Sequence, residues 1–162
     1  MQRIAENQLY DISHKILLNL GSSDDEARVV SDHLIRANMS GHDSHGIGML
    51  HMYNDSIKLG ALKPNTDVAL VKDAGAIMQF DGQRGYGQRV AKDAMEAACE
   101  RAKQQGLCLM TIRNAHHIGR IGTYGEQALA NGLVSIHFVN VTDHPPCVAP
   151  WGGREGAFVT NT

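Results

Sequence analysis

From Gln88 to Gln105 the residues Ala91, Ala94, Ala98 and Ala102 share one helical face, Gly106 follows, and Leu107 to Ile112 is an unbroken apolar run. Small side chains at that spacing let a helix lie close on a sheet, glycine ends the helix, and a continuous apolar run fits a strand covered on both faces. Further on, the pattern predicts a helix from Ile121 to Ala130, a stop at Gly132 and another strand from Leu133 to Val139. Strand, helix and strand joined by short links form a βαβ unit, with parallel strands and a right-handed crossover. The loop from Arg113 to Gly122 then falls at the carboxyl end of the first strand, the edge at which open α/β sheets bind ligands.

Upstream the periodicity is helical. Leu9, Ile12, Ile16 and Leu20 recur at helical spacing before Gly21, and Ser23 with Glu26 offers a capping box for a second helix carrying Ala27, Val30, Leu34 and Ala37. A third, short helix is expected directly after Gly46, through Ile47, Leu50, Tyr53 and Ile57, ended by Gly60 and Pro64. Val68 to Val71 and Ala76 to Phe80, separated by Lys72 to Gly75, read as a β-hairpin. The expected class is α/β: an N-terminal helical segment over 1–60, then an α/β segment over 61–162 containing a mixed sheet with a βαβ unit.

Composition narrows the partners. At 162 residues and 43% hydrophobic content the chain can build an ordinary core, and a net charge of −2 without a basic run argues against a nucleic-acid surface. No apolar stretch reaches signal-peptide or membrane-span length. Cys99, Cys108 and Cys147 are odd in number and lack Cys-x-x-Cys spacing, so they read as reduced thiols of a cytoplasmic protein.

Two histidine-bearing loops carry the chemistry: His42-Asp43-Ser44-His45-Gly46 and Asn114-Ala115-His116-His117-Ile118-Gly119-Arg120-Ile121-Gly122. Each sits where a helix begins, so imidazoles, a hydroxyl and free helix N–H groups are offered together, a set suited to proton transfer beside an anion. Gly119 and Gly122 let backbone approach a phosphate and Arg120 adds positive potential; a plain strand-to-helix turn accounts for the same glycines. His45, with an ordinary pKa of roughly 6.5, suits general acid–base work, against the alternative of a solvated turn histidine. His116 and His117 are adjacent, so at most one is expected to face His45. A metal reading rests on His42 and His45 at i, i+3, but only Asp43 stands near them as a carboxylate. His137 is expected as a satisfied polar group within a strand, His14, His33 and His51 as partly exposed helix residues, and Asp143-His144-Pro145-Pro146 as a rigid turn.

Gly41-His42-Asp43-Ser44-His45-Gly46-Ile47-Gly48-Met49, Phe80-Asp81-Gly82 with Gly85-Tyr86-Gly87-Gln88, and the Asn114–Gly122 loop together resemble the malate/L-lactate dehydrogenase-like family, the group without a Rossmann fold. The likeness is best with its hydroxycarboxylate dehydrogenase branch. It implies hydride transfer between NAD or NADP and a small 2-hydroxy or 2-oxo acid, by a cytoplasmic homodimer. By resemblance His45 is the proton donor or acceptor and Ser44 orients it; some members give the proton role to the residue corresponding to His117. His45, Gly119, Arg120 and Ile121 are similar to dinucleotide-contacting positions. Several members carry an arginine where this chain has Met49, so the substrate carboxylate falls to another group, Arg120 among them. Family chains are considerably longer, and their last shared motif continues through Thr-Asn-Pro where this chain has Thr160-Asn161-Thr162. The resemblance therefore implies the N-terminal part of such an enzyme, an incomplete piece of its dinucleotide- and substrate-binding fold. Two other classes remain open: a noncatalytic self-associating module and a His-ligated metal hydrolase.

Overall fold

The computed structural model describes residues 4–141 and 151–152. The Asp143–Pro146 turn, Cys147 and the stretch from Gly153 onward lie outside the described residues. Helix α1 spans Glu6–Asn19 and α2 spans Asp24–Met39, packed as a hairpin. Ser23 caps α2 by accepting from the Glu26 N–H at 3.3 Å. The capping box is only half formed, because Glu26 is fully buried and accepts instead from the Asn65 backbone N–H, 2.9 Å from each carboxylate oxygen. Asn65 takes over the missing half: its side-chain oxygen accepts from the Ser23 N–H at 2.6 Å. Ser23→Ala should therefore lower the unfolding free energy by about 1 kcal/mol in urea denaturation, the ordinary worth of a side-chain N-cap.

Two 3₁₀ turns, Asp43–His45 and Ile47–Met49, lead into α3, Leu50–Lys58, so the expected helix after Gly46 opens with a tighter turn. Leu17, Ala27, Val30, Leu34, Leu50, Tyr53, Leu62 and Tyr86 form the core beneath these helices.

The hairpin consists of β1, Ala69–Ala74, and β2, Ile77–Asp81, turning at Gly75-Ala76 rather than over Lys72–Gly75. Helix α4, Gly87–Gln105, then returns the chain to β3, Leu109–Arg113, which runs parallel to β2 with Ile77 opposite Leu109. The sheet order is β1-β2-β3 and mixed, as the α/β expectation requires. Its βαβ unit is β2–α4–β3, however, not the one expected around α5, Gly122–Ala130.

Two expectations are corrected here. Leu133–Val139 does not pair with β3 among the described residues. Leu133 and Val139 pack instead on the α4–α5 cluster of Ala91, Met95, Cys99, Ile121, Tyr124 and Ala128, which turns Val134, Ile136 and Phe138 outward, the last 92% exposed. Nor is β3 covered on both faces: α4 lies on the side of Met78, Phe80 and Ala94, and the paired Ile77 and Leu109 on the opposite side stay exposed. Helix α4 thus has two contact faces, Ala94 toward the sheet and Ala91, Met95 and Cys99 toward α5.

No described helix is long and apolar enough to cross a membrane.

Candidate active site

The two histidine loops meet. The His45 and His117 ring centroids lie 5.2 Å apart with the planes tilted 34°. Each loop is held by structure behind it. Asn38, near the end of α2, accepts from the Ile47 N–H at 2.9 Å and donates to Asp43 at 2.5 Å, which pins the turn carrying Ser44 and His45. The second loop lies against the start of α4, where a Cβ on Gly87 would stand 2.2 Å from the His116 carbonyl oxygen. Only glycine lets backbone approach backbone so closely.

Ser44 Oγ is 2.8 Å from His45 Nδ1, which leaves Nε2 as the nitrogen for a ligand. Burial and the neighbouring His42 push the His45 pKa down. His117 is bonded on the other side: its Nδ1 lies 2.8 Å from the Tyr53 hydroxyl of α3, which in turn accepts from Gln88 Nε2 of α4 at 2.5 Å. Burial, then His45, His116 and His33, lower the His117 pKa to about 3. Both rings are therefore neutral at pH 7 and able to donate from one nitrogen and accept at the other.

His33 corrects an expectation. Expected as partly exposed, it is 4% exposed, its ring 5.7 Å from that of Tyr124 and its Nε2 only 2.4 Å from where a Cβ on Gly119 would stand. The second loop passes over α2 at that point, with Gly119 in the left-handed region at φ +72°. Burial, with Arg36, Arg120 and His45, lowers the His33 pKa to about 4.

Such depressed histidines make stability pH-dependent. The unfolded chain takes up protons near 6.5 and the folded chain only near 4 or 3, so their stabilisation is intact above 6.5 and is lost as the pH falls toward 4. Urea denaturation across that window should show the unfolding free energy falling, each histidine contributing a slope approaching about 1.4 kcal/mol per pH unit. A flat profile would contradict the burial of both rings.

The remaining expected cofactor positions divide. Gly119 and Arg120 lie at the start of α5, and the Arg120 guanidinium covers Gly122, 2.8 Å from where its Cβ would stand. That guanidinium donates to Glu126 Oε1 at 2.7 Å, and Arg36 engages the other oxygen of the same carboxylate. Two arginines on one carboxylate leave the cluster cationic. Arg120 Nε and Thr123 Oγ1 are buried there without a hydrogen-bond partner among the described residues. The Ile121 side chain, by contrast, is buried in the α4–α5 core, so only its backbone is available. Met49 packs against the helical core and offers no charge. His137 is partly buried, its Nε2 2.9 Å from Ser135 Oγ. No group of three His, Cys, Asp or Glu residues stands close enough to hold a metal ion among the described residues.

Sequence reasoning missed Tyr53, Gln88, Asn38, Glu126 and the burial of His33. The signal for Tyr53 is a polar group in an apolar helical register, and Gln88 stands in the Gly85–Gln88 motif of the resemblance with no role attached to it.

Comparison with known proteins gives a consistent picture. A profile of the malate/L-lactate dehydrogenase family matches residues 4–162. Hydroxycarboxylate dehydrogenase B of Escherichia coli K12 is 45% identical over 159 residues, 98% of this chain but 44% of that protein. L-lactate dehydrogenase of Cupriavidus necator is 42% identical over 137 residues, 85% of this chain and 39% of the relative. Among solved structures, sulfolactate dehydrogenase from Methanocaldococcus jannaschii superposes with a TM-score of 0.80 at 31% identity, covering 94% of this chain and 44% of that one. The chain thus spans under half the length of the curated relatives it matches.

Proposed function

The chain belongs to the malate/L-lactate dehydrogenase family, and from that membership and its paired imidazoles we propose that it carries the proton-transfer part of an oxidoreductase site acting on a 2-hydroxy or 2-oxo carboxylic acid with NAD or NADP. The observation that carries the reading is the convergence of His45 and His117 from distant loops to 5.2 Å.

Oxidation of a 2-hydroxy acid removes a hydride from C2 and a proton from its hydroxyl. NAD(P), when bound, accepts or returns the hydride. The chain's own task is the proton. His45, oriented through Nδ1 by Ser44, takes the hydroxyl proton at Nε2, and its depressed pKa keeps it in the accepting form at neutral pH. In the reverse direction the protonated ring returns that proton to the oxygen on which negative charge develops. His117, its ring 5.2 Å from that of His45, would offer the same oxygen a second polar contact. Gly119, Arg120 and the Ile121 backbone would hold the dinucleotide at the start of α5, where the Arg36–Glu126–Arg120 cluster adds positive potential.

The same reading takes the protein to be a cytoplasmic homodimer. Free Cys99 and Cys108 and the outward row of Val134, Ile136 and Phe138 support it. That row would equally serve a noncatalytic self-associating module, and titration with NADH separates the two. A saturable change in nicotinamide fluorescence is expected; a linear, unsaturable response would sink the oxidoreductase reading and favour the module.

A further inference from the structure

Behind His117 lies a chain of groups that proton transfer itself does not need. We propose that Gln88 and Tyr53 are positioning residues that lock His117 in its neutral Nε2–H tautomer, making it a fixed hydrogen-bond donor and leaving proton exchange to His45.

Counting donors leads there. The Gln88 carboxamide stands with Nε2 toward Tyr53 at 2.5 Å, and in that orientation the nitrogen donates and the Tyr53 oxygen accepts. The phenol's single proton is then directed to its other partner, His117 Nδ1, at 2.8 Å. That nitrogen must accept, and a neutral imidazole with an accepting Nδ1 carries its proton on Nε2. Nδ1 is engaged by Tyr53, so Nε2 is the atom left to meet a ligand.

The relay is rigid and dry. Tyr53 is fully buried and Gln88 is 1% exposed, so water does not compete for their bonds. The Tyr53 ring is set edge-on to Tyr86 at 5.4 Å and to His116 at 5.8 Å, which fixes the direction of its hydroxyl. Burial raises the Tyr53 pKa, so the phenol keeps its proton. Gln88 retains its place although its Oε1 is buried without a hydrogen-bond partner among the described residues. A buried orphan oxygen is destabilising, and an apolar residue of similar size would avoid it; the bond to Tyr53 is what the carboxamide provides there.

The consequence is a division of labour. Two imidazoles 5.2 Å apart cannot both hold a positive charge without repelling one another. Fixing one as a neutral donor removes it from competition for the proton. What that donor is aimed at rests on the oxidoreductase reading; the tautomer does not.

The test is a long-range ¹H–¹⁵N correlation spectrum of this chain with labelled histidine, at neutral pH and without NADH. His117 should show an unprotonated Nδ1 and a protonated Nε2. Gln88→Glu supplies a carboxylate that accepts the phenol proton, and the pattern should reverse to Nδ1–H. In Tyr53→Phe the lock is gone, and the two nitrogen shifts should move toward each other. A wild-type His117 protonated on Nδ1 overturns the proposal, and so do folded variants whose shifts stay where the wild type's are. Should both substitutions unfold the chain, the wild-type spectrum alone decides. Because no cofactor is present, a failed NADH titration and a failed tautomer assignment are separate results.

Discussion

Replacing His45 by Gln should lower the steady-state rate of NADH-dependent 2-oxo acid reduction by roughly 10²- to 10⁴-fold, the range ascribed to a positioned general acid or base. Glutamine keeps a polar group of similar reach but exchanges no proton near neutrality. The loss should fall on kcat with KM changed little, because the removed interaction is made as charge develops on the reacting oxygen. Stability should hardly change: His45 is only partly buried and, among the described residues, its one side-chain contact of hydrogen-bond length is to exposed Ser44. Thermal unfolding measured beside turnover would separate a chemical defect from a folding one. Wild-type turnover in this variant would reject His45 as the proton-exchanging group.

The second large effect is structural. Gly119→Ala should cost roughly 2–5 kcal/mol of folding free energy, from a side chain forced into left-handed backbone and from overpacking. The added methyl would meet His33 at three ring atoms, Nε2 at 2.4 Å, Cδ2 at 2.7 Å and Cε1 at 3.3 Å. His33 has little room to retreat, since it is buried and set against the Tyr124 ring, whose own hydroxyl donates to the Ile118 carbonyl at 2.5 Å. The loop would have to lift away from α2, carrying His117 and Arg120 with it. Chemical denaturation would read the loss, and the His117 nitrogen shifts would report the displaced loop. A change under 1 kcal/mol would show that the close approach is not needed.

How much of this was legible follows from the range of the interactions. Helices α1, α2 and α4 and the capping serine were readable because periodicity and caps act within a few residues. The two loops were readable as chemistry because histidine, serine and glycine are concentrated in them. His33 was not, because the decision to bury it is made by Gly119, far along the chain and without a side chain to betray the contact. Tyr53 read as an ordinary helix residue and Gln88 as a motif residue without a role, because their joint action depends on α3 and α4 meeting behind His117. Leu133–Val139 has strand periodicity, but alternation states only that two faces differ. It does not say which face turns inward, or whether a neighbour is there to hydrogen-bond.

That last segment has a kinetic meaning. Among the described residues Val134, Ile136 and Phe138 stand in water and β3 has no second neighbour, an apolar row and an open strand edge that favour capture by other copies of the chain. Productive folding is first order in chain, whereas strand-to-strand capture is second order, so dilution favours recovery of the native form and crowding favours precipitate.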